Sequence, residues 1–248
     1  MLVKACLNGA REPGAHPRLP LTPDQLADDA QACLEFGAEA VHLHPRDPDG
    51  RESLAATDVA AAVAAVRAEC PGLPIGVTTG AWIVPDPPVR EAVVSSWGDL
   101  DDFARPDFAS VNLSEDGWER VATTLLDAGI GVEAGIQRPE DPALLATSGL
   151  APRFLRFIVE PAITDPDAAI TSADSLLAAL EPLAPDVPRM AHGREDAAWP
   201  VLEWALLRGL QSRIGLEDTL RLPDGTITPD NPALVAAAYT FLMESPPT

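Results

Sequence analysis

Lysine is almost absent from this chain of 248 residues: Lys4 is the only one, and arginine supplies nearly all of the positive charge. A class I aldolase forms a Schiff base between a lysine amine and a carbonyl substrate, and here only Lys4 could serve. An inward-facing polar role early in the first strand explains Lys4 at least as well. The shortage of lysine therefore argues against Schiff-base chemistry.

Other scarce features narrow the class of protein further. The three cysteines, Cys6, Cys33 and Cys70, form no C-x-x-C pair, and their odd number suits a reducing compartment. We therefore expect them to be small buried apolar residues. No apolar run is long enough to span a membrane, and the chain does not open with a charged region followed by an apolar signal segment. These absences predict a cytoplasmic protein without a membrane partner.

Acidic residues predominate, and the formal net charge is −21. Such a charge repels the phosphates of nucleic acids and anionic lipids, so neither is an expected partner. An anionic substrate would need locally placed arginines or a metal ion to hold it. Hydrophobic residues make up 46% of the chain, which is enough for a large core.

Short apolar runs alternate with longer, alanine-rich amphipathic segments along the chain. The apolar runs predict eight strands, over residues 2–7, 40–44, 74–78, 107–112, 130–134, 154–159, 187–191 and 213–216. Helices are predicted between an N-cap at Thr22 and a stop at Gly37, and over residues 57–69, 88–97, 115–128, 142–147, 172–180 and 195–210. Alternation implies a parallel sheet and eight units imply closure, so we predict the α/β class and a single (β/α)8 TIM barrel domain over residues 1–248.

Two of the four histidines, His42 and His44, stand at the end of the second predicted strand in the run Val41-His42-Leu43-His44-Pro45-Arg46-Asp47. On a strand, residues two apart point to the same face. Two neutral imidazoles on one face could begin a Zn²⁺ site, which needs a third ligand and an open position for chemistry. The candidate third ligand is Glu217. Two unrelated polar residues at a strand end are the alternative.

Unusual polar residues follow most of the other predicted strands as well. They are Thr78, Thr79, Asn112, Ser114, Glu133, Glu160, Glu217 and Asp218. Active sites of TIM barrels lie at this end of the strands. Asp218 is a candidate general base, and Arg213 could orient it or hold a substrate carboxylate. A structural Arg213–Asp218 salt bridge is the alternative.

Two other polar segments leave their roles open. In the first loop, Asn8-Gly9-Ala10-Arg11-Glu12 carries one charge of each sign, and either could face the site. His192, after the seventh strand, could contact substrate or begin a helix.

Five motifs together resemble the β-keto acid cleavage enzyme family. They are H-L-H-P-R-D after strand two, the T-P-D-Q-L helix start, V-T-T-G after strand three, S-V-N-L-S at strand four and R-I-G-L-E-D-T-L at strand eight. The resemblance implies a zinc-dependent (β/α)8 barrel and a homo-oligomer, a tetramer or a dimer. It also implies a reaction between a β-keto acid and acetyl-CoA that gives acetoacetate and a new acyl-CoA, without a redox cofactor.

The resemblance also implies roles for particular residues. His42, His44 and Glu217 match the zinc ligands, and Arg213 and Asp218 match a pair that promotes deprotonation of the keto acid.

Further expectations concern the substrate pocket. Glu12 matches an acidic residue of the first loop, which we expect to be catalytic, and Ser114 matches a hydroxyl that contacts substrate. We also expect Asn112, Thr79 and Trp82 to bind substrate. Gly80-Ala81-Trp82 departs from the small or hydroxyl residues common in the family, so Trp82 should narrow the pocket.

Two other functions remain open on the sequence alone. One is a metal-dependent aldolase or lyase that acts on a small keto acid without CoA. The other is a non-catalytic barrel that binds a carboxylate, and the retention of Arg213, Glu217 and Asp218 argues against it.

Overall fold

Eight parallel strands close into a barrel in chain order in the computed structural model, which describes residues 2–244. Strands β1 to β8 are Val3–Cys6, Ala40–Leu43, Ile75–Thr78, Phe108–Asn112, Gly131–Ile136, Arg156–Val159, Arg189–Ala191 and Gln211–Ile214. The barrel closes where β8 pairs with β1, with Lys4 beside Arg213. The predicted (β/α)8 fold is confirmed.

Eight α-helices connect or follow the strands. Helices α1 to α8 are Pro23–Glu35, Ala56–Glu69, Pro87–Ser95, Trp118–Asp127, Asp141–Ser148, Pro166–Leu180, Ala198–Leu207 and Asn231–Glu244. The start of α1 is as predicted, because the Thr22 hydroxyl accepts from the Gln25 amide and the Gln25 side chain accepts from the Thr22 amide. Gly37 follows the helix with φ +102°, a conformation that favours glycine.

Several elements differ from the sequence prediction; helix α6, for example, begins at Pro166 and not at residue 172, because the Asp165 side chain caps it there. Strand β8 ends at Ile214, two residues before the predicted end. A Cβ atom on Gly215 would lie 1.9 Å from the Cys6 carbonyl oxygen, so the chain passes tightly against β1 there, and it then turns as the Asp218 amide donates to the Gly215 carbonyl. Helix α8 was not predicted, since residues 234–239 are all apolar or aromatic. They lack the polar residues at helical spacing by which an amphipathic helix is recognised.

The interior of the barrel and the interface between sheet and helices are largely apolar, and a buried ionic cluster surrounds Glu133 inside the barrel. Lys4 and Glu133 are fully buried, and the Lys4 Nζ lies 2.5 Å from a Glu133 oxygen. Arg156 lies 3.0 Å from the other oxygen of Glu133. Lys4 thus has an inward-facing ionic partner in the barrel interior.

Two smaller features of the fold relate to the sequence expectations. The three cysteines are buried and unpaired. Among residues 2–244, no helix combines the length and apolar character needed to cross a membrane.

Candidate active site

His42 and His44 lie at the carboxyl end of β2, and both side chains are buried. The Nε2 atoms of the two rings each lie 3.9 Å from Oε2 of Glu217, which follows β8. One potential ligand atom from each of the three residues falls within 4.8 Å of the others. The spacing predicted from the sequence therefore brings two imidazoles and a carboxylate together.

The carboxylate of Glu217 presents one oxygen to the histidines and the other to an arginine. Arg213 donates to Oε1 at 2.7 Å. Oε2 is buried and accepts no hydrogen bond from the described residues. A buried carboxylate oxygen without a donor is costly unless something else satisfies it, and a cation between two imidazoles would do so.

The protonation states also fit a cation. Burial lowers the pKa of His42 well below its usual value, which favours the neutral imidazole that a metal ion needs. Burial opposes ionisation of Glu217, but the positive charge of Arg213 holds the pKa of that carboxyl well below its usual value. Two neutral imidazoles and a carboxylate are a typical donor set of catalytic zinc sites.

The residues around this group hold it in place. The Asn8 side chain accepts from the His44 amide and donates to the His44 carbonyl, both at 2.9 Å. Glu52 Oε1 lies 2.5 Å from Nδ1 of His44. On the opposite side, Gly9 has φ +55°, and a Cβ there would lie 2.3 Å from Cγ of Glu217. Only glycine leaves the carboxylate room in this position.

Arg213 and Asp218 form a buried pair beside the three potential ligands. The same Arg213 nitrogen that contacts Glu217 donates to Oδ1 of Asp218 at 2.7 Å. Burial opposes ionisation of Asp218, yet the positive charge of Arg213 lowers the pKa of the carboxyl. Oδ2 of Asp218 has no hydrogen-bond partner within residues 2–244. One oxygen is thus held while the other is free to accept a proton.

A chain of polar contacts runs from Asp218 around five successive strand ends. His192, after β7, lies 3.3 Å from Oδ1 of Asp218 and 2.9 Å from Oε2 of Glu160, after β6. Gln137 donates to the other oxygen of Glu160 at 2.9 Å, and Ser114 donates to Gln137 at 3.0 Å. Burial opposes ionisation of Glu160, but contact with His192 lowers its pKa to about 2.

A cavity of about 420 Å³ opens over the three potential ligands. Its walls are formed by Ala10, Arg11, His42, His44, Thr78, Trp82, Ser110, Asn112, Gly135, Ile158, Glu160, Ala162, Thr164, Arg194, Glu195, Arg213 and Glu217. The volume accommodates a small acid, and the position at the carboxyl end of the barrel is the usual one for TIM barrel active sites.

The residues expected to bind substrate are distributed unevenly around the cavity. Asn112 and Trp82 line it. Thr79 is buried and its hydroxyl donates to the Ser110 carbonyl, and Ser114 reaches the cavity only through Gln137 and Glu160. Glu12 is exposed and outside the cavity wall, whereas its neighbour Arg11 lines the wall and lies 2.6 Å from Glu195. The roles expected of Glu12, Ser114 and Thr79 stay predictions.

The model of the beta-keto acid cleavage enzyme family matches residues 1–245 of the chain. The chain belongs to this family. Its relatives include 3-oxoadipate:acetyl-CoA acetyltransferase of Cupriavidus necator, which is 26% identical over 92% of this chain and 83% of its own length. The 3-keto-5-aminohexanoate cleavage enzyme of Fusobacterium nucleatum is 30% identical, over 32% of this chain and 30% of its own length.

Solved structures share the fold of this β-keto acid cleavage enzyme family member. A binary complex of ObcA with oxaloacetate superimposes with a TM-score of 0.74 over 94% of this chain, at 19% sequence identity. The chain spans 65% of the length of that ObcA chain. At this identity the similarity supports the barrel architecture.

Several side chains of the site in this family member gave no sequence signal. Glu52 lies in a polar loop eight residues after His44, where nothing distinguishes it from other surface acids. Gln137 follows β5 without any recognisable motif. His192 and Glu160 were recognisable as polar residues at strand ends, but their mutual contact depends on the closure of the barrel.

Proposed function

We propose that the chain is a zinc-dependent acyltransferase that combines a β-keto acid with acetyl-CoA and releases acetoacetate and a new acyl-CoA. The observation that carries this proposal is the convergence of His42, His44 and Glu217, which line the cavity, beside the buried Arg213–Asp218 pair. The names of the relatives, which specify keto acids and acetyl-CoA, support the substrate classes.

His42, His44 and Glu217 would hold the metal ion through the two Nε2 atoms and the free Oε2. When bound, such an ion supplies Lewis acidity to the oxygens of a β-keto acid and acidifies the carbon between them. Arg213 keeps Glu217 and Asp218 ionised and fixes one oxygen of each.

Asp218 is the proposed general base because its Oδ2 is free and the other oxygen is held by Arg213 and His192. Oδ2 takes a proton from the carbon between the ketone and the carboxylate. That carbon then forms a bond to the thioester carbon of acetyl-CoA, and the C–S bond breaks to release CoA as its thiolate. The thiolate adds to the original ketone carbon, and the bond between that carbon and carbon 2 breaks, which releases the acyl group as its CoA thioester. Carbon 2 takes the proton back from Asp218, and acetoacetate results.

Atoms balance in this exchange: the acetate unit of the keto acid becomes carbons 1 and 2 of acetoacetate, and the remaining acyl group leaves as its CoA thioester. Asn112 and Trp82 line the part of the cavity in which the substrate would bind.

We also propose that the protein forms a homo-oligomer, which light scattering during gel filtration would test.

The test is a panel of β-keto acids labelled with ¹³C at carbon 2, incubated with zinc-loaded protein and acetyl-CoA. The expected result is acetoacetate labelled at carbon 2 together with one new acyl-CoA. Turnover that proceeds equally without acetyl-CoA would identify a metal-dependent lyase instead. A panel without any turnover, despite stoichiometric zinc in the protein, would refute the acyltransferase assignment.

A further inference from the structure

Glu52 joins His44 to Trp82 by using one carboxylate oxygen for each. Oε1 lies 2.5 Å from Nδ1 of His44, and Oε2 accepts from the indole nitrogen of Trp82 at 2.9 Å. The indole also lies over the imidazole, with ring centroids 6.1 Å apart and planes inclined by 24°. Trp82 therefore contacts His44 both directly and through the carboxylate. We name Glu52 and Trp82 the His44 clamp.

The loop that carries Glu52 is anchored to its surroundings. Arg46 forms an isolated antiparallel bridge with Glu52 and donates from its guanidinium to the carbonyls of Gly9, Arg11 and Gly50. Arg46 thereby connects the loop after β2 to the loop after β1. These contacts hold the backbone near Glu52 in place, so the position of its carboxylate next to His44 is fixed.

Burial alone does not explain the position of Trp82, because the residue is 50% exposed. Exposed tryptophans usually gain little from one fixed orientation, since the side-chain entropy cost is not repaid by burial. The glycine at position 80 leaves room for the indole in this orientation, because a Cβ atom there would lie 2.4 Å from the indole ring. The backbone amide of Ala81, between Gly80 and Trp82, donates to the Glu115 carboxylate at 3.0 Å. This hydrogen bond fixes the turn that carries the indole.

The clamp has a definite chemical consequence for His44. A carboxylate at Nδ1 accepts a hydrogen bond, so the hydrogen of the neutral ring lies on Nδ1 and the lone pair lies on Nε2. Nε2 is the atom that faces Glu217. In contrast, Nδ1 of His42 is buried without a partner among the described residues. Of the two imidazoles, only that of His44 has a carboxylate at Nδ1 in the described part of the chain.

We propose that the His44 clamp fixes the tautomer and orientation of His44, and that Trp82 is a positioning residue that acts through Glu52. The inference rests on the proposed function only in that the fixed Nε2 then serves a metal ion. Carboxylates in this position raise the basicity of a ligating imidazole and orient its ring. Trp82 holds the carboxylate in turn, in addition to lining the cavity.

The test compares Trp82→Phe, which keeps an aromatic ring and removes the indole N–H, with Glu52→Gln. Zinc affinity is measured by competition with a chelator. Loss of the carboxylate should weaken zinc binding about 10- to 100-fold. Loss of the indole hydrogen bond should weaken it about fivefold, the effect of roughly one hydrogen bond. In the double variant the second change should add little, because Trp82 acts through Glu52.

The matched control is Trp199→Phe, which also removes an indole hydrogen bond, to the Arg221 carbonyl, but lies on α7 outside the cavity. It should leave zinc affinity unchanged. Unchanged zinc affinity in Trp82→Phe, or equal losses in Trp82→Phe and Trp199→Phe, would overturn the proposal.

A second measurement needs no metal. In metal-free protein, ¹⁵N NMR of the histidine rings should show His44 as the Nδ1–H tautomer, and Glu52→Gln should convert it to a mixture. A mixture already present in the wild type would overturn the clamp. A wild-type protein that holds the Nδ1–H tautomer but binds no zinc would support the clamp and refute the metal site of the proposed function.

Discussion

Substitution of Gly9 by alanine should damage the active site much more than the fold. Gly9 has φ +55°, where an L-residue costs about 1–2 kcal/mol. The new Cβ would lie 2.3 Å from Cγ of Glu217, so the carboxylate must withdraw by about 1 Å to reach ordinary contact. Metal sites tolerate deviations of about 0.2 Å in ligand distance, so we expect zinc affinity to fall at least 100-fold. A displacement of this size should also lower kcat/KM about 100-fold.

Gly14→Ala is the matched control in the same loop. Gly14 has φ +91°, but a Cβ there would meet no atom within 4 Å. Both variants should lose roughly 1–2 kcal/mol of unfolding free energy, or about 5 °C in Tm for a chain of this size. Only Gly9→Ala should lose zinc, as measured by chelator competition and calorimetry. Equal zinc affinity in the two variants would refute the reasoning that Glu217 must occupy the space above Gly9.

Three other substitutions test separate parts of the structure. Asp218→Asn should retain zinc and lose about 10²- to 10⁴-fold in kcat, because an amide cannot take the proton; unchanged kcat would make Asp218 structural. His192→Gln should lower kcat about tenfold with little change in KM, since Oδ1 of Asp218 loses its polar contact with His192 and keeps only its hydrogen bond from Arg213, whereas His16→Gln, in the loop before α1, should not affect kcat. Burial raises the pKa of Asp29 to about 7, so the protonated form stabilises the fold and that stability is lost as the pH rises from about 4 through 7. Urea titrations at pH 5 and pH 8 would measure the free energy of unfolding, and Asp29→Asn should abolish roughly 2 kcal/mol of its pH dependence, since partial exposure of the side chain reduces the effect. A pH dependence that is unchanged in the variant would assign it to other groups.

The fold was largely predictable because the period of the apolar residues reflects the structure directly. Each buried parallel strand is a short apolar run, and Thr22 and Gly37 mark the ends of α1 by local hydrogen bonds and a positive φ. Helix α8 was not predicted because its half-exposed face consists mostly of alanine and other apolar residues, so no polar stripe reveals the helical period. Its first residue matters for the site: the Asn231 side chain accepts from the Leu216 amide at 2.6 Å, next to Glu217.

The candidate site was predictable only where residues carry an unusual spacing. His42 and His44 lie two apart on a strand, and Glu217 and Asp218 follow another strand directly. Glu52, Gln137 and the contact between His192 and Glu160 depend on loop conformations and on strand neighbours, which spacing along the chain does not encode.

The pairing of β8 with β1 determines when during synthesis the proposed metal site could form. Cys6 of β1 lies beside His42 of β2, whereas Glu217 follows β8, the last strand made. A nascent chain that has emerged only as far as β7 carries the histidine pair without its carboxylate. Contacts between distant parts of a chain form late in folding, so zinc would bind only after β8 has paired with β1 and the barrel is closed. Zinc bound at that point would stabilise only the completed protein and leave truncated products exposed to proteolysis.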